Sequence, residues 1–384
     1  MDQSNRPTAV IVGGSYAGLC AAASLQAVDW EVTVLERSTN RSRIGGGVVV
    51  QRRMADYLES HNLAGPNVAG IPARRRMLFQ TDGSILTVPE TARSYTAWDV
   101  LLKEFESVVG EGNVRRGAEL VAIEQSEEAA RAVLADGTRI EADLLVAADG
   151  VGSRARRLLL PDSEPEYAGY VAWRGTAEES AVPADVQTQC ADSFCSFAGG
   201  QTNAVVYEIP GTDGSVERGS RRLNWVWYVN TAAGADLDRL LVDSHGRRKQ
   251  STLHRGEARE ETVQEMISVA RRLLPGSFVS IIEATREPFA QAILDYEAPQ
   301  LFFGRSVLIG DAACLIRPHL GSGAAKAVED AISLADAVCG PDFKQRGCLK
   351  GWEAVRLEEH QSMAEQAKAL AHRYGLGPSA DSGS

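Results

Sequence analysis

Residues 8–14, TAVIVGG, form an unbroken apolar run that ends in a glycine pair, the pattern of a strand buried on both faces of a parallel sheet. Residues 17–27, rich in Ala and Leu, read as a helix packed closely on it, and WEVTVLER reads as the next strand. Together they predict a βαβ unit at the start of the chain. Residues 117–150 differ: short strands, a turn at Asp136-Gly137, then the apolar strand DLLVAADG. From about residue 167 the texture becomes aromatic, with NAVVYEIP and RLNWVWYVN separated by a polar, Gly-rich turn. Strict alternation in the second run puts Leu223, Trp225, Trp227 and Val229 on one face and Asn224, Val226, Tyr228 and Asn230 on the other. Such a sheet suits a platform over a ligand. Residues 243–260 form a polar, basic loop. Val263, Met266, Ile267, Ala270, Leu273 and Leu274 then keep helical spacing until Pro275-Gly276 stops the pattern. RSVLIGDAA is one more buried strand leading into small-residue helices, and a long helix is predicted over about 350–372.

No internal repeat is visible. The order nucleotide unit, aromatic sheet, nucleotide unit predicts an α/β protein: a Rossmann-like cofactor-binding domain with an inserted mixed-sheet substrate domain and a long C-terminal helix. The first domain is discontinuous, at 1–75, 95–165 and 285–375; the insert takes 76–94 and 166–284, and 376–384 is expected to be a disordered tail. A chain of 384 residues has room for two such domains.

Composition changes this picture little. With 44% hydrophobic and 24% charged residues the chain is of globular type. Its net charge of -11 leaves no cationic surplus for phosphate backbones, which excludes nucleic acid as the expected partner. No run approaches the roughly 20 apolar residues of a membrane span. The start MDQSNRP lacks the apolar core of a signal peptide, so a cytoplasmic location without membrane contact is expected. The six cysteines make no C-x-x-C pair and no cluster at metal spacing, which predicts reduced thiols and no structural metal.

The chemistry starts at the first turn. Gly13 and Gly18 fall on the first and third glycines of G-x-G-x-x-G, with Ser15 in place of the second. Serine is small, and its hydroxyl can donate to a phosphate oxygen. The helix start still offers free N–H groups and a positive dipole end. Glu36 ends the second strand, roughly 20 residues on, where a carboxylate accepts both hydroxyls of an adenosine ribose. That acid speaks for FAD or NAD rather than NADP at this site. Asp149, Gly150, Ser153 and Arg156 fit D-G-x-x-S-x-x-R after a buried strand. Gly310-Asp311 ends another strand, with Pro318 and a glycine pair beyond.

Three motifs in this order, spanning nearly the whole chain, resemble those of the FAD-dependent aromatic hydroxylases, single-component flavin monooxygenases typified by p-hydroxybenzoate hydroxylase. Within that family YAGYVAWRG (167–175), RLNWVWYVN (222–230) and RPHLGSGAAKA (317–327) look most like segments of a hydroxypyridine hydroxylase. The resemblance implies FAD contacts at Gly13, Ser15, Tyr16 and Ala17, at Glu36 and Arg37, and at Val49 and Gln51 within GGGVVVQ, whose glycines would let the backbone pass close to the flavin. Asp149 and Arg156 would serve both FAD and the nicotinamide coenzyme. Asp311 would accept from the ribityl chain, and Gly321, Ser322, Gly323 and Ala324 would donate N–H groups to the flavin's N1–C2=O edge. Pro318 would line the pocket where oxygen adds to C4a. Two family features are missing: Cys314 stands where a His is common, and Trp98 where an Arg is common.

The implied reaction has two halves. NADH or NADPH reduces FAD; O2 then gives a C4a-hydroperoxide that hydroxylates an electron-rich aromatic or N-heteroaromatic ring. A base must help a ring hydroxyl lose its proton. His319 is the first candidate for it and Tyr228 the second partner of the ring. Trp225 and Trp227 are expected in packing and Arg174 at the surface. A flavin-dependent halogenase, an FAD dehydrogenase and a non-catalytic flavoprotein remain alternatives. Oligomeric state is open, a homodimer being one form it would take.

Overall fold

The computed structural model describes residues 6–39, 45–60, 70–89, 93–340 and 347–378. Thr8–Val12 lies inside a six-stranded sheet, because it is apolar on both faces and both faces are covered. Val10 and Ile11 are fully buried. The order across the sheet is Phe302–Phe303, Ser306–Leu308, Leu144–Ala147, Thr8–Val12, Glu31–Glu36, Val114–Arg116. All pairs are parallel except the outermost, Phe302–Phe303 with Ser306–Leu308. Helix Tyr16–Ala27 crosses between the first two strands, and its Gly and Ala residues bring it close to helix Gly323–Val338. This parallel arrangement is what positions the site. Gly13, Glu36, Asp149 and Asp311 end or come just after four different strands, so all four arrive at the same carboxyl edge.

The aromatic segment builds a nine-stranded sheet around Glu166–Glu178, Arg222–Asn230 and Thr202–Ile209. Its far end is the hairpin Arg75–Phe79 and Ile85–Pro89, reached from the N-terminal part of the chain. Strand Phe289–Glu297 also joins this sheet, beyond the expected boundary at 285. Register pairs Ala172 and Asn203 with Tyr228, and Trp173 and Ala204 with Trp227. The two faces therefore have different fates. Leu223, Trp225 and Trp227 sink into a core closed by helices Glu260–Leu273 and Gly276–Glu283, with the indole N–H groups donating to Thr285 Oγ1 at 2.8 Å and Thr202 Oγ1 at 2.7 Å. The opposite face, with Tyr170, Val226, Tyr228 and Ile293, packs instead against Ala371 and Leu376.

The last helix spans Gly347–Arg373, close to expectation. The residues just after it are not a loose tail: Leu376 is buried and Gly377 N donates to Asn230 Oδ1 at 2.9 Å. The rest of the expected tail, 379–384, lies outside the described residues. In the basic loop Arg247, Arg248 and Lys249 are each paired with an acid, Asp243, Asp238 and Glu257 respectively. Cys20, Cys190, Cys195, Cys314 and Cys339 are free thiols.

Candidate active site

The first turn is built by close backbone approach. Gly13 has φ +111°, and a Cβ on it would lie 2.4 Å from Ala148 O. A Cβ on Gly18 would lie 1.9 Å from Gly13 O, which seats the helix directly on the turn. The missing second glycine costs the turn nothing, because Ser15 sits extended at the N-cap without bonding the helix. Glu36 is buried beside this turn and accepts from Gly14 N at 3.0 Å and Ser38 N at 2.7 Å. These bonds aim its carboxylate. Ala17 and Tyr16 present main-chain N–H groups in the first helical turn. The Tyr16 ring, however, turns inward and meets Phe105 edge-on at 5.4 Å between centroids. Arg37 is exposed next to Glu36.

Asp149 and Arg156 are engaged within the protein. Asp149 accepts from Ser153 Oγ, from Arg154 N at 2.6 Å and from Ala155 N at 3.0 Å, capping the short helix Arg154–Leu159. Arg156 is fully buried, lies 4.4 Å over the Tyr296 ring, and donates to Val151 O and Ala312 O. It thus ties the second motif to the third. Only its Nε lacks a partner.

The third motif rests on a buried ionic network that sequence reasoning missed. Asp330 is fully buried and accepts from Gly310 N at 2.9 Å, Lys326 Nζ at 3.2 Å, Arg356 Nε at 2.9 Å and the His360 imidazole at 2.9 Å. Lys326 Nζ also donates to Gly310 O at 2.8 Å. Both polar groups of Gly310, held at φ +60°, are therefore fixed from one helix. Burial would raise the Asp330 carboxyl, but Lys326, His360 and Arg356 hold it far below the usual range. The next residue, Asp311, keeps a solvent-exposed surface while dense protein surrounds it, as at the floor of a groove. That burial raises its pKa, Lys326 and Arg156 oppose the rise, and Asp330 adds to it. Cys314, where a His was expected, is a buried neutral thiol pushed up to about 12 by burial.

Beyond it, Pro318 opens a short turn and Gly321 is left-handed at φ +63°, its Cβ position 2.9 Å from Val49 Cγ2. Gln51 Nε2 donates to Gly321 O at 3.1 Å. Ser322 is buried with its hydroxyl unpartnered, and helix Gly323–Val338 begins there with the main-chain N–H groups of Gly323 and Ala324 at its open end. Two glycines of GGGVVVQ are required by packing within the protein. A Cβ on Gly45 would strike Trp98 at 2.5 Å, and one on Gly47 would strike Tyr207 at 2.4 Å. The bulk of Trp98 is absorbed by that glycine run.

Taken together, the groove suits FAD on its own chemistry. It has a carboxylate beside a glycine turn, a second exposed carboxylate, and an orphaned buried hydroxyl at a helix start whose dipole favours negative charge. Residues fitted to hold FAD are Gly13, Ser15, Glu36, Asp311 and 321–324. Among the described residues there is no group of three or more metal-ligating side chains, and no helix is long and apolar enough to cross a membrane.

Next to this groove lies an aromatic pocket. His319 sits 4.4 Å from the Tyr228 ring and 5.7 Å from the rings of both Tyr170 and Tyr374, centroid to centroid. Its Nε2 is 2.9 Å from Tyr170 OH, and its Nδ1 is buried without a partner. Burial, with Arg317 and Arg174 nearby, pushes the imidazole down to about 3. The proton-accepting role expected of His319 therefore does not fit: near neutral pH it is an uncharged ring beside two cations. Burial likewise raises Tyr228, so it remains a phenol. Tyr374, from the segment after the last helix, closes the pocket and carried no sequence signal. Arg174 was expected at the surface; it is half-buried and faces this pocket instead.

The depressed imidazole has a consequence for stability. The unfolded chain, with His near 6.5, binds more protons than the folded one from that pH down to about 3. The contribution is fully present above pH 6.5 and is lost as pH falls towards 3. His319→Asn is expected to lose about 2 kcal/mol less stability than the parent between pH 7 and pH 5, read from urea midpoints.

Comparisons with known proteins agree with this geometry. The profile of the FAD binding domain-like family matches residues 167–295. The 2,6-dihydroxypyridine 3-monooxygenase of Paenarthrobacter nicotinovorans is 32% identical over 97% of this chain and 93% of its own. The solved structure of 2,6-dihydroxypyridine-3-hydroxylase from Arthrobacter nicotinovorans superposes with a TM-score of 0.90 at 31% identity, covering 99% of this chain and 95% of that one. Klebsiella pneumoniae HpxO, solved with FAD and uric acid, shares the fold at a TM-score of 0.78 and 21% identity, over 97% of this chain and 90% of its own.

Proposed function

This chain belongs to the FAD-dependent aromatic monooxygenases, and on that premise we propose that its substrate is a hydroxylated pyridine. It is an NAD(P)H-dependent flavoprotein monooxygenase. A hydroxybenzoate or simple phenol is the alternative ring. The observation that supports the ring reading is the pocket of Tyr170, Tyr228, His319 and Tyr374 directly beside the 318–324 turn. When bound and reduced by the nicotinamide coenzyme, FAD would activate O2 for transfer of one of its atoms to the ring.

The protein's part is positioning and exclusion. The turn at 318–324 fixes where the flavin edge meets the large sheet, with Pro318 at the border between them. Tyr228 and Tyr374 cover the ring and keep water from the transferred oxygen. Tyr170, kept a neutral phenol by burial, donates to Nε2 of His319, which leaves the Nδ1 proton of His319 directed at a ring oxygen. In this reading His319 orients the ring as a donor and takes no proton from it.

The test uses the purified FAD-loaded protein. With 2,6-dihydroxypyridine it is expected to consume NADH or NADPH several-fold faster than without, and to yield a product one oxygen atom heavier. Stimulation by phenols or hydroxybenzoates alone would move the assignment to the alternative ring. Turnover in the absence of O2 with a dye acceptor, and no oxygen inserted, would make it a dehydrogenase. A requirement for a separate reductase and halide would make it a halogenase.

A further inference from the structure

On the cofactor-facing side of the large sheet, Arg174 is a cation that no carboxylate among the described residues neutralises. Arg174 lies in strand Glu166–Glu178, opposite Val226 on one side and Phe289 on the other. That register puts it on the face of Tyr228, while its neighbour Trp173 goes to the other core. Among the described residues its side chain makes no ion pair or hydrogen bond, and its Nε is buried without a partner. The contrast with nearby cations is sharp. Arg317 is held by Asp295 at 2.6 and 2.9 Å, and Arg222 by Asp99 at 3.1 Å.

The groups facing this space are donors or neutral. His319 offers the unpartnered Nδ1, and Tyr207 and Tyr228 are phenols kept neutral by burial. Tyr170 is occupied by His319, and Tyr374 meets His319 edge-on. Asp295, the acid among these groups, is committed to Arg317. An unpaired guanidinium in such a pocket is costly unless an anion arrives with the ligand.

We propose that Arg174 anchors an anionic oxygen on the ring substrate, so that the pocket selects ionisable hydroxy-rings and binds them already deprotonated. The inference rests on the ring-hydroxylase reading above. The ring O–H breaks on binding, its electron pair stays on oxygen, and the proton leaves to water. No base in the pocket is required, which agrees with an imidazole unable to hold that proton. The substrate's ionised oxygen, flanked by Arg174 and His319 Nδ1, also gives the ring the electron density that attack by an electrophilic oxygen needs.

The experiment measures two things on the FAD-loaded protein: binding, from the change in flavin absorbance, and ring ionisation, from the ultraviolet spectrum of the bound ligand across pH. The probes are 2,6-dihydroxypyridine and its non-ionisable counterpart 2,6-dimethoxypyridine. In the parent, the bound dihydroxypyridine is expected to ionise at least about one pH unit below the free compound, the effect of one nearby opposite charge. Arg174→Met is expected to abolish that shift and weaken dihydroxypyridine binding by about 30–100-fold, as for a lost charge-assisted bond, with the dimethoxy compound changed by less than about 3-fold. Arg174→Lys is expected to keep most of the shift. If the methionine chain loses FAD, Arg174→Gln, polar but uncharged, replaces it in the comparison. An unshifted ionisation in the parent, or equal weakening of both probes in the variant, overturns the role of Arg174 and leaves the hydroxylase reading intact. Failure of the parent to bind or hydroxylate any hydroxypyridine or phenol overturns that reading, and this inference with it.

Discussion

Asp330→Ala is expected to destabilise the protein by about 3–5 kcal/mol and to strip it of FAD, because it leaves buried cations without their counter-charge. Lys326 and Arg356 are both essentially inaccessible to water, and each reaches the same carboxylate. Gly310 would lose the acceptor of its N–H, and the turn that aims Asp311 would lose its fixed geometry. The measurement is a urea denaturation curve together with the flavin-to-protein absorbance ratio after gel filtration. Adding Lys326→Met to the variant removes one stranded charge and should recover part of the stability without restoring FAD. A single variant that retains both its midpoint and its flavin would show that Gly310 is held by other means.

Gly18→Ala is the second large effect. One methyl group would have to occupy space 1.9 Å from a main-chain oxygen, and backbone on both sides prevents an easy retreat. The helix must lift off the turn, which costs about 3 kcal/mol or more by the measure of overpacked cores. FAD affinity should fall at least about a hundredfold, since the same displacement moves the N–H groups at the helix start that a pyrophosphate needs. Gly112→Ala is the control: nothing lies within 4 Å of its added methyl, so melting temperature and flavin content should stay as in the parent. Flavin fluorescence titration and thermal melts of the two variants make the comparison.

How much of the molecule could be read from the sequence depends on the range of each interaction. The carboxyl ends of buried strands were legible because apolar runs mark the strands and the residues just beyond them are fixed by covalent continuity. Gly13, Glu36, Asp149 and Asp311 were found that way. Alternation in 222–230 correctly divided Trp225 and Trp227 from Tyr228. The features that were missed depend on contacts between distant elements. Lys326 and Asp330 stand four apart in the helix Gly323–Val338, a visible signal, but Arg356 and His360 join them only through packing. Arg174 looked like a surface residue because its neighbours in sequence say nothing of register. Only pairing with Val226 turns it towards the pocket. His319 was rightly placed in the pocket's wall but not in its charge state, which is set by burial and by Arg317 and Arg174 from elsewhere.

The last helix touches both halves of the molecule: Arg356 and His360 reach the Gly310 turn, and Tyr374 and Leu376 reach the large sheet. On the ribosome this imposes an order. The first glycine turn and its acid emerge early, but neither the third motif nor the aromatic pocket can be finished until the final segment has cleared the exit tunnel. Until then the Tyr170–Tyr228 face lacks the residues that cover it.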